Sequence, residues 1–348
     1  MRHHTSPICG IVPPYILEAL ARHDDVVIRD AATRTLAVTV DLGERRIATT
    51  PRPGARGATA PREHRSVYDA EGTEDLPGTL VRDEGTAAVQ DVAVNEAYDG
   101  LGDTWTLYQD VYGRNSIDDR GLTLLGSVHF GQQYDNAYWD GQQMVFGDGD
   151  GVLFNRFTIS VDVIGHELTH GVTGATANLN YQGQSGALNE SVSDVFGSIV
   201  KQYTLNQTAE QADWLIGAGL LAADIDGVAL RSMKAPGTAY DDPQLGGKDP
   251  QPATMTGYVH TASDNGGVHT NSGIPNHAFY LAAVGLGGNS WDTAGHVWYA
   301  TLTGGELRAS ATFAEFASLT AQTAAKLYGS AEQQAVTEAW TRVGVGVP

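Results

Sequence analysis

A chain of 348 residues and 36.9 kDa, 41% hydrophobic and 18% charged, is long enough for about two domains and too apolar to remain unfolded. No stretch nears ~18 uninterrupted apolar residues, and MRHHTSPICGIVPPY has no apolar signal core, so neither a membrane span nor an ordinary signal peptide is read. A formal charge of −20 disfavours nucleic acid and anionic lipid as partners, and the lone Cys9 excludes an internal disulfide framework.

In chain order, Pro13-Pro14 opens a short amphipathic helix over Tyr15, Ile16, Leu17, Ala19 and Leu20, and TLAVTVD (35–41) alternates Leu36, Val38 and Val40 as a strand would. Residues 1–65 hold 10 Lys+Arg and 7 Asp+Glu, a charge of +3, which leaves −23 for the remainder. Two mutually attracting units follow from that asymmetry. Between them lies PRPGARGATAPREHR (51–65), with three Pro, four Arg, two Gly and no Leu, Ile, Val or Phe. It reads as an exposed linker, the plainer alternative being a loop within one domain. Residues 67–157 combine one helical run near 86–99 with Tyr/Trp/Thr-rich alternating pieces and Gly-Asp turns, and read as largely β. GDGDG (147–151) reads as a glycine-rich turn, because Ile159 stands where an EF-hand would need Glu. From 158 onward helical periodicities dominate, at 158–174, 186–203, 211–223, 271–285, 292–303, 312–328 and 332–341. A β-rich half followed by an α-rich half predicts an α+β fold, with no internal repeat.

The strongest chemical signal is His166-Glu167-Leu168-Thr169-His170. Its i, i+4 spacing puts two imidazoles on one helical face with a carboxylate beside them, while Val161, Ile164 and Leu168 supply a core stripe. Twenty residues on, Leu188, Val192, Val195, Phe196 and Ile199 form a second core stripe, and Glu190 and Asp194 share the opposite face. Carboxylates one turn apart repel unless a cation lies near them. A zinc ion held by His166, His170 and Glu190 supplies one, with a fourth position open for water, and Asp194 can accept the outer N–H of a liganding histidine. A structural site is more often closed by four Cys/His ligands, and this chain has one cysteine, so the open set reads as catalytic. His3, His4, His23, His64, His129, His260, His277 and His296 lack ligand spacing to the helix and read as structural or surface residues.

At this point the chain resembles the thermolysin-like zinc metallopeptidases. YDNAYWDGQQMVFGDGDG (134–151), HELTHGVTG (166–174), YQGQSGALNESVSDVFG (181–197), LRSM (230–233) and DNGGVHTNSGIPNHAFYLAA (264–283) follow that family's signatures in order, across residues 66–348. The resemblance implies a two-lobed α+β enzyme, with a β-rich lobe over 66–157, a helical lobe over 158–348 and the zinc helix at their junction. It implies zinc on His166, His170 and Glu190, and Glu167 as the base that takes a proton from the attacking water. Tyr181 and a protonated His269, oriented by Asp264, would donate to the developing oxyanion. Asn136, the Ala137 backbone and Arg231 would hold the main chain of a peptide substrate, and Asn189 and Asp194 would steady the ligands. Phe154, Phe157, Val163, Ile216 and Leu230 match the pocket for the residue after the scissile bond, which implies cleavage before bulky hydrophobic residues. Without the resemblance these five are equally plain core, Asn136 a turn residue, Arg231 a surface cation, Tyr181 a core aromatic and His269 a loop histidine.

The chain also departs from the family. Where relatives build a double calcium site, Asp162 and Asp213 remain but Lys201, Leu215 and Ala218 occupy other ligand positions. Ammonium and methyl groups cannot ligate Ca²⁺, so calcium, possible by resemblance, is expected weak or absent, with Lys201 pairing Asp162 or Asp213 in its place. DIDGVALRSM (224–233) is too short for the family's later calcium loop. CGIVPPYILEALA (9–21) resembles the short propeptide of the protealysin-like branch, which makes residues 1–50 a propeptide and 51–65 the processing region. A +3 segment on a −23 enzyme then acts as an intramolecular inhibitor, with Cys9 either a thiolate on zinc or a small packing residue. The expected product is a monomeric neutral endopeptidase acting on peptides or proteins. It is secreted by resemblance although no signal peptide is read, the alternative being cytoplasmic. A zinc aminopeptidase and a zinc-binding homologue without catalysis are the competing readings. The ordered motifs, and the retention of Glu167, Tyr181 and His269, speak against them.

Overall fold

The computed structural model describes residues 10–48 and 61–347. Cys9 and residues 51–60 of the expected linker lie outside the described residues. The architecture is mixed α+β. Helices α1 (Pro14–Leu20) and α2 (Val26–Ala48) precede strands β1 (Arg65–Asp69) and β2 (Thr79–Asp83), then α3 (Val92–Tyr112) and strands β3 (Leu124–Val128), β4 (Ala137–Trp139) and β5 (Met144–Phe146). These strands form one sheet in the order β2-β1-β3-β5-β4, with β1 and β5 parallel to β3 and the outer strands antiparallel to their neighbours. Strand β4 is therefore an outer strand of the sheet, and what lies along its outer edge decides the chemistry of the cleft.

The second half carries α4 (Val161–Ala175), α5 (Gly183–Thr204), a two-strand ladder of β6 (Leu215–Ile216) and β7 (Arg231–Ser232), and then α6 (Asp264–Asn271), α7 (Gly273–Leu286), α8 (Thr293–Thr303), α9 (Phe313–Leu327) and α10 (Ser330–Arg342). Helices α4 and α5 cross at two glycines. A Cβ on Gly197 would sit 2.3 Å from the Asp162 carbonyl oxygen, and one on Gly165 3.1 Å from the Gly197 Cα. This backbone approach is what lets a carboxylate on α5 reach histidines on α4. Trp214, Trp298 and Trp340 are among the largest fully buried side chains of the core.

Three local expectations are corrected. Residues 35–41 are helical within α2, not a strand: Ile28, Ala31, Ala32 and Thr35 are buried at 3% or less, a 3.6-residue stripe that outweighs the short alternation of Leu36, Val38 and Val40. The helix expected near 86–99 starts instead after Asp91, which caps the Ala93 and Val94 amides, and runs to Gly113 in the left-handed conformation. Its Thr104, Leu107 and Tyr108 continue the buried face of Ala97 and Leu101, so the Tyr/Trp/Thr-rich stretch is helix and the first half is less β-rich than read. Residues 211–223 are not a helix but turns around β6, because Trp214, Gly217 and Gly219 take φ of 60°, 75° and 85°.

Lys201 stands near the end of α5, with its ammonium 3.1 Å from Asp162 Oδ2 and 2.9 Å from Asp213, so it pairs with both acids rather than one. It also donates to the Leu215 carbonyl at 3.2 Å.

Candidate active site

Helix α4 brings His166 and His170 to one face, and both are buried. Their outer ring nitrogens are occupied. His166 Nδ1 is 2.8 Å from Asp194 Oδ1, and His170 Nδ1 is 2.9 Å from Asn189 Oδ1 and 3.1 Å from Ser193 Oγ. The two Nε2 atoms are thereby turned inward, 3.1 Å apart, with Glu190 oxygens 3.6 Å from His166 Nε2 and 3.5 Å from His170 Nε2. Tetrahedral zinc with bonds of ~2.0–2.1 Å sets its ligand atoms about 3.3 Å apart. The Nε2–Nε2 distance and the approaches of Glu190 Oε2 to His166 and of Oε1 to His170 bracket that value, so His166, His170 and Glu190 could hold a zinc ion. Burial alone would raise the Glu190 pKa, but His269, His170 and His166 overcome it and pull the carboxyl down to about 2, so it stays anionic.

Glu167, between the two histidines, is fully buried and accepts the Trp139 amide of β4 at 3.0 Å. From the other side, the Tyr181 hydroxyl donates to Glu190 and lies 3.3 Å from His269 Nε2. His269 is set by a strained turn: Asp264, Asn265, Gly266 and Gly267 take φ of 50°, 49°, 84° and 76°. That turn folds the Asp264 carboxylate back onto the His269 amide at 2.9 Å and its Nδ1 at 2.6 Å. Burial opposes a charge on His269, yet the Asp264 and Glu190 carboxylates outweigh it and raise its pKa above the ordinary histidine value.

Arg231 on β7 is 1% exposed and forks onto Asp194, Nε to Oδ2 at 2.9 Å and Nη2 to Oδ1 at 2.8 Å. Asn276 Nδ2 donates to the same carboxylate at 2.8 Å. Desolvation would raise the Asp194 pKa, but Arg231 and His166 hold it far below the usual carboxylate range. One buried carboxylate thus orients a histidine of the triad and the guanidinium beside the cleft. The apolar residues Phe154, Phe157, Val163, Ile216 and Leu230 are all buried at 1% or less in the main core cluster, with the Phe154 and Phe157 rings 5.8 Å apart.

The N-terminal segment lies in the place expected for a substrate's main chain. Ile11 N–H donates to the Ala137 carbonyl at 3.1 Å, and Arg231 Nη1 donates to the Ile11 carbonyl at 3.0 Å. Val12 N–H donates to Asn136 Oδ1 at 3.0 Å, and Asn136 Nδ2 donates to the Val12 carbonyl at 3.4 Å. Gly10 bridges Tyr138 in antiparallel sense. Helix α2 adds a second anchor, with the Asp135 amide donating to Thr35 Oγ1 at 3.0 Å and Arg34 Nη2 to Gln133 Oε1 at 3.0 Å.

The polar site residues expected from the sequence therefore fall within one of two connected groups, the triad with its partners or the β4 edge with Arg231, whereas the five apolar ones lie in the main core cluster. Sequence reasoning missed the Trp139 amide, Ser193 and Asn276. A main-chain donor and a serine leave no signal in composition, whereas Asn276 stands inside the quoted GIPNHAF stretch and was open to the same matching.

Two family profiles match, described as the thermolysin metallopeptidase catalytic domain over residues 33–174 and the thermolysin metallopeptidase alpha-helical domain over 177–345. An extracellular metalloprotease of Pectobacterium carotovorum subsp. carotovorum is 54% identical over 342 residues, covering 98% of this chain and 97% of that protein. Protease PrtS of Photorhabdus sp. (strain Az29) is 48% identical over 97% of this chain and 92% of its own. Among solved structures, the precursor of protealysin, a metalloproteinase from Serratia proteamaculans, matches with a TM-score of 0.90 and 53% identity, over 97% of this chain and 100% of that one. With a metal-binding triad in place and matches that span nearly the whole sequence, the chain belongs to the thermolysin family of zinc metallopeptidases.

Proposed function

We propose that this metalloprotease is an endopeptidase made as a zymogen, which cuts internal peptide bonds before bulky hydrophobic residues and acts outside the cell. The observation that carries the reading is the main chain of Ile11 and Val12, hydrogen-bonded by Ala137, Asn136 and Arg231 beside a fully assembled triad. An extended chain of almost any sequence can make those bonds, which suits protein substrates and leaves selection to the apolar residues Phe154, Phe157, Val163, Ile216 and Leu230. In the uncut chain the N-terminal segment takes them instead, so residues 1–50 act as an intramolecular inhibitor and a cut within 51–65 releases the enzyme. Arg65 opens β1, so a cut before it leaves the sheet whole. Export is supported by the relatives named extracellular, and no helix among the described residues is long and apolar enough to cross a membrane.

His166, His170 and Glu190 would hold zinc, which when bound with an open position polarises a carbonyl and acidifies water near neutral pH. Glu167, aimed by the Trp139 amide, takes the proton of the attacking water and hands it to the leaving amine. The Tyr181 hydroxyl and the His269 imidazolium donate hydrogen bonds to the oxygen on which charge develops, each worth about 2.7–4 kcal/mol. Asp264 holds the proton on His269 and fixes its ring.

Casein digestion with and without a zinc chelator, followed by intact mass spectrometry, tests the reading. Wild type is expected to cut internally, lose activity with chelation and acquire a new N-terminus within or near 51–65. A Glu167→Ala chain is expected to remain full length. Removal of terminal residues alone, or unaided maturation of Glu167→Ala, contradicts the proposal.

A further inference from the structure

The contact between the N-terminal segment and β4 is tightest at a residue with no side chain. A Cβ built on Gly10 would lie 2.5 Å from Asn136 Nδ2 and 2.6 Å from both Asn136 Cγ and Oδ1. The Asn136 amide has nowhere to go. It is 1% exposed, its Oδ1 accepts the Val12 and Ala137 amides at 3.0 Å each, and its Nδ2 reaches back to the Val12 carbonyl. What position 10 requires is space.

We propose that Gly10 is the positioning residue on which latency depends: its bare Cα lets the main chain of residues 10–12 close onto Asn136, and any side chain there unseats the inhibitory segment. The proposal rests on the zymogen reading above and adds a specific contact to it. Since Asn136 is fixed, a methyl at position 10 moves the segment, not the amide. The bonds lost are those that copy a substrate, Ile11 to Ala137, Arg231 to Ile11, and Val12 to Asn136. The helical anchor of Thr35 and Arg34 on residues 133–135 remains, so the segment stays tethered while the cleft opens.

The test uses the full-length chain. In a Glu167→Ala background, where self-processing is blocked, amide hydrogen exchange is followed at Ile11 and Val12 with and without Gly10→Ala. Loss of these hydrogen bonds is expected to speed exchange at both amides about tenfold or more, with exchange of α4 and α5 unchanged. In the wild-type background, the uncut Gly10→Ala chain, its integrity checked by mass, is expected to hydrolyse a short peptide about tenfold faster than the uncut parent. Equal exchange and equal latency in parent and variant overturn the proposal. Full activity of the uncut parent overturns the zymogen reading instead, while the exchange comparison still decides the contact. If Gly10→Ala does not fold, Asn136→Gly is added in the Glu167→Ala chain to make room for the methyl. Slow exchange at Ile11 must then return, and continued fast exchange also overturns the proposal.

Discussion

Replacing Lys201 with Met measures what a single ammonium contributes at the junction of α4, α5 and β6. Asp162 is 1% exposed. Its Oδ1 is satisfied by Ser160 Oγ at 2.8 Å and the Gly217 amide at 3.0 Å, while its Oδ2 faces Lys201 Nζ at 3.1 Å. Burial would lower the Lys201 pKa, but Asp162 and Asp213 more than offset this and raise it, so Lys201 stays an ammonium. Removing one partner of a buried pair costs ~3–5 kcal/mol. The Lys201 side chain is 13% exposed and that of Asp213 46%, so the lower end applies, about 3 kcal/mol. At ~2–4 °C per kcal/mol for a domain of this order of size, Lys201→Met should lower Tm by about 6–12 °C. Thermal unfolding in the Glu167→Ala background, which prevents autolysis, gives the number. Adding Asp162→Asn should recover most of the loss by removing the stranded charge. Millimolar Ca²⁺ should leave the parent Tm unchanged and raise that of Lys201→Glu, where a third carboxylate replaces the ammonium. An unchanged Tm in Lys201→Met, or a parent chain holding two tightly bound Ca²⁺ in equilibrium dialysis, would refute the reasoning.

Two further outcomes follow from the geometry. Asp264→Asn removes the carboxylate that holds His269 by its amide and its Nδ1, so kcat of the matured enzyme should fall about 10²–10³-fold with little change in KM; a change confined to KM would assign Asp264 to substrate binding instead. His129 bridges Asp148 and Asp91 at 2.9 Å each, and these carboxylates, Asp148 first, outweigh partial burial and raise its pKa to about 9. Because the folded-state pKa is raised, the stabilisation is complete below the unfolded value of ~6.5 and is lost as pH climbs through about 9. Tm of the Glu167→Ala chain should therefore decline between those limits more than that of a chain also carrying His129→Gln, and parallel declines would count against the bridge.

What was legible in the sequence was whatever repeats on a helix face. His166, Glu167 and His170 follow from i, i+4 spacing, and Glu190 and Asp194 from two acids opposite an apolar stripe. That Asp194 would accept the outer N–H of a liganding histidine was also readable, but neither its choice of His166 nor its simultaneous grip on Arg231 was, since 37 residues separate Asp194 from Arg231 and no local pattern relates them. Residues 35–41 misled because Thr and Val alternation mimics a strand, while the helical stripe that decides the matter begins earlier, at Ile28. Residues 211–223 misled in the opposite direction, as apolar spacing concealed the left-handed turns at Trp214, Gly217 and Gly219. The demand for glycine at position 10 comes from a neighbour 126 positions away, and only the fold brings the two together.

Metal content of the purified chain tests the central claim most directly. Elemental analysis by mass spectrometry, on the Glu167→Ala protein and on the same protein with His166→Ala and His170→Ala added, should find about one zinc per chain in the first and close to none in the second. Equal zinc in both, or none in the first after refolding with excess zinc, would contradict a triad of His166, His170 and Glu190.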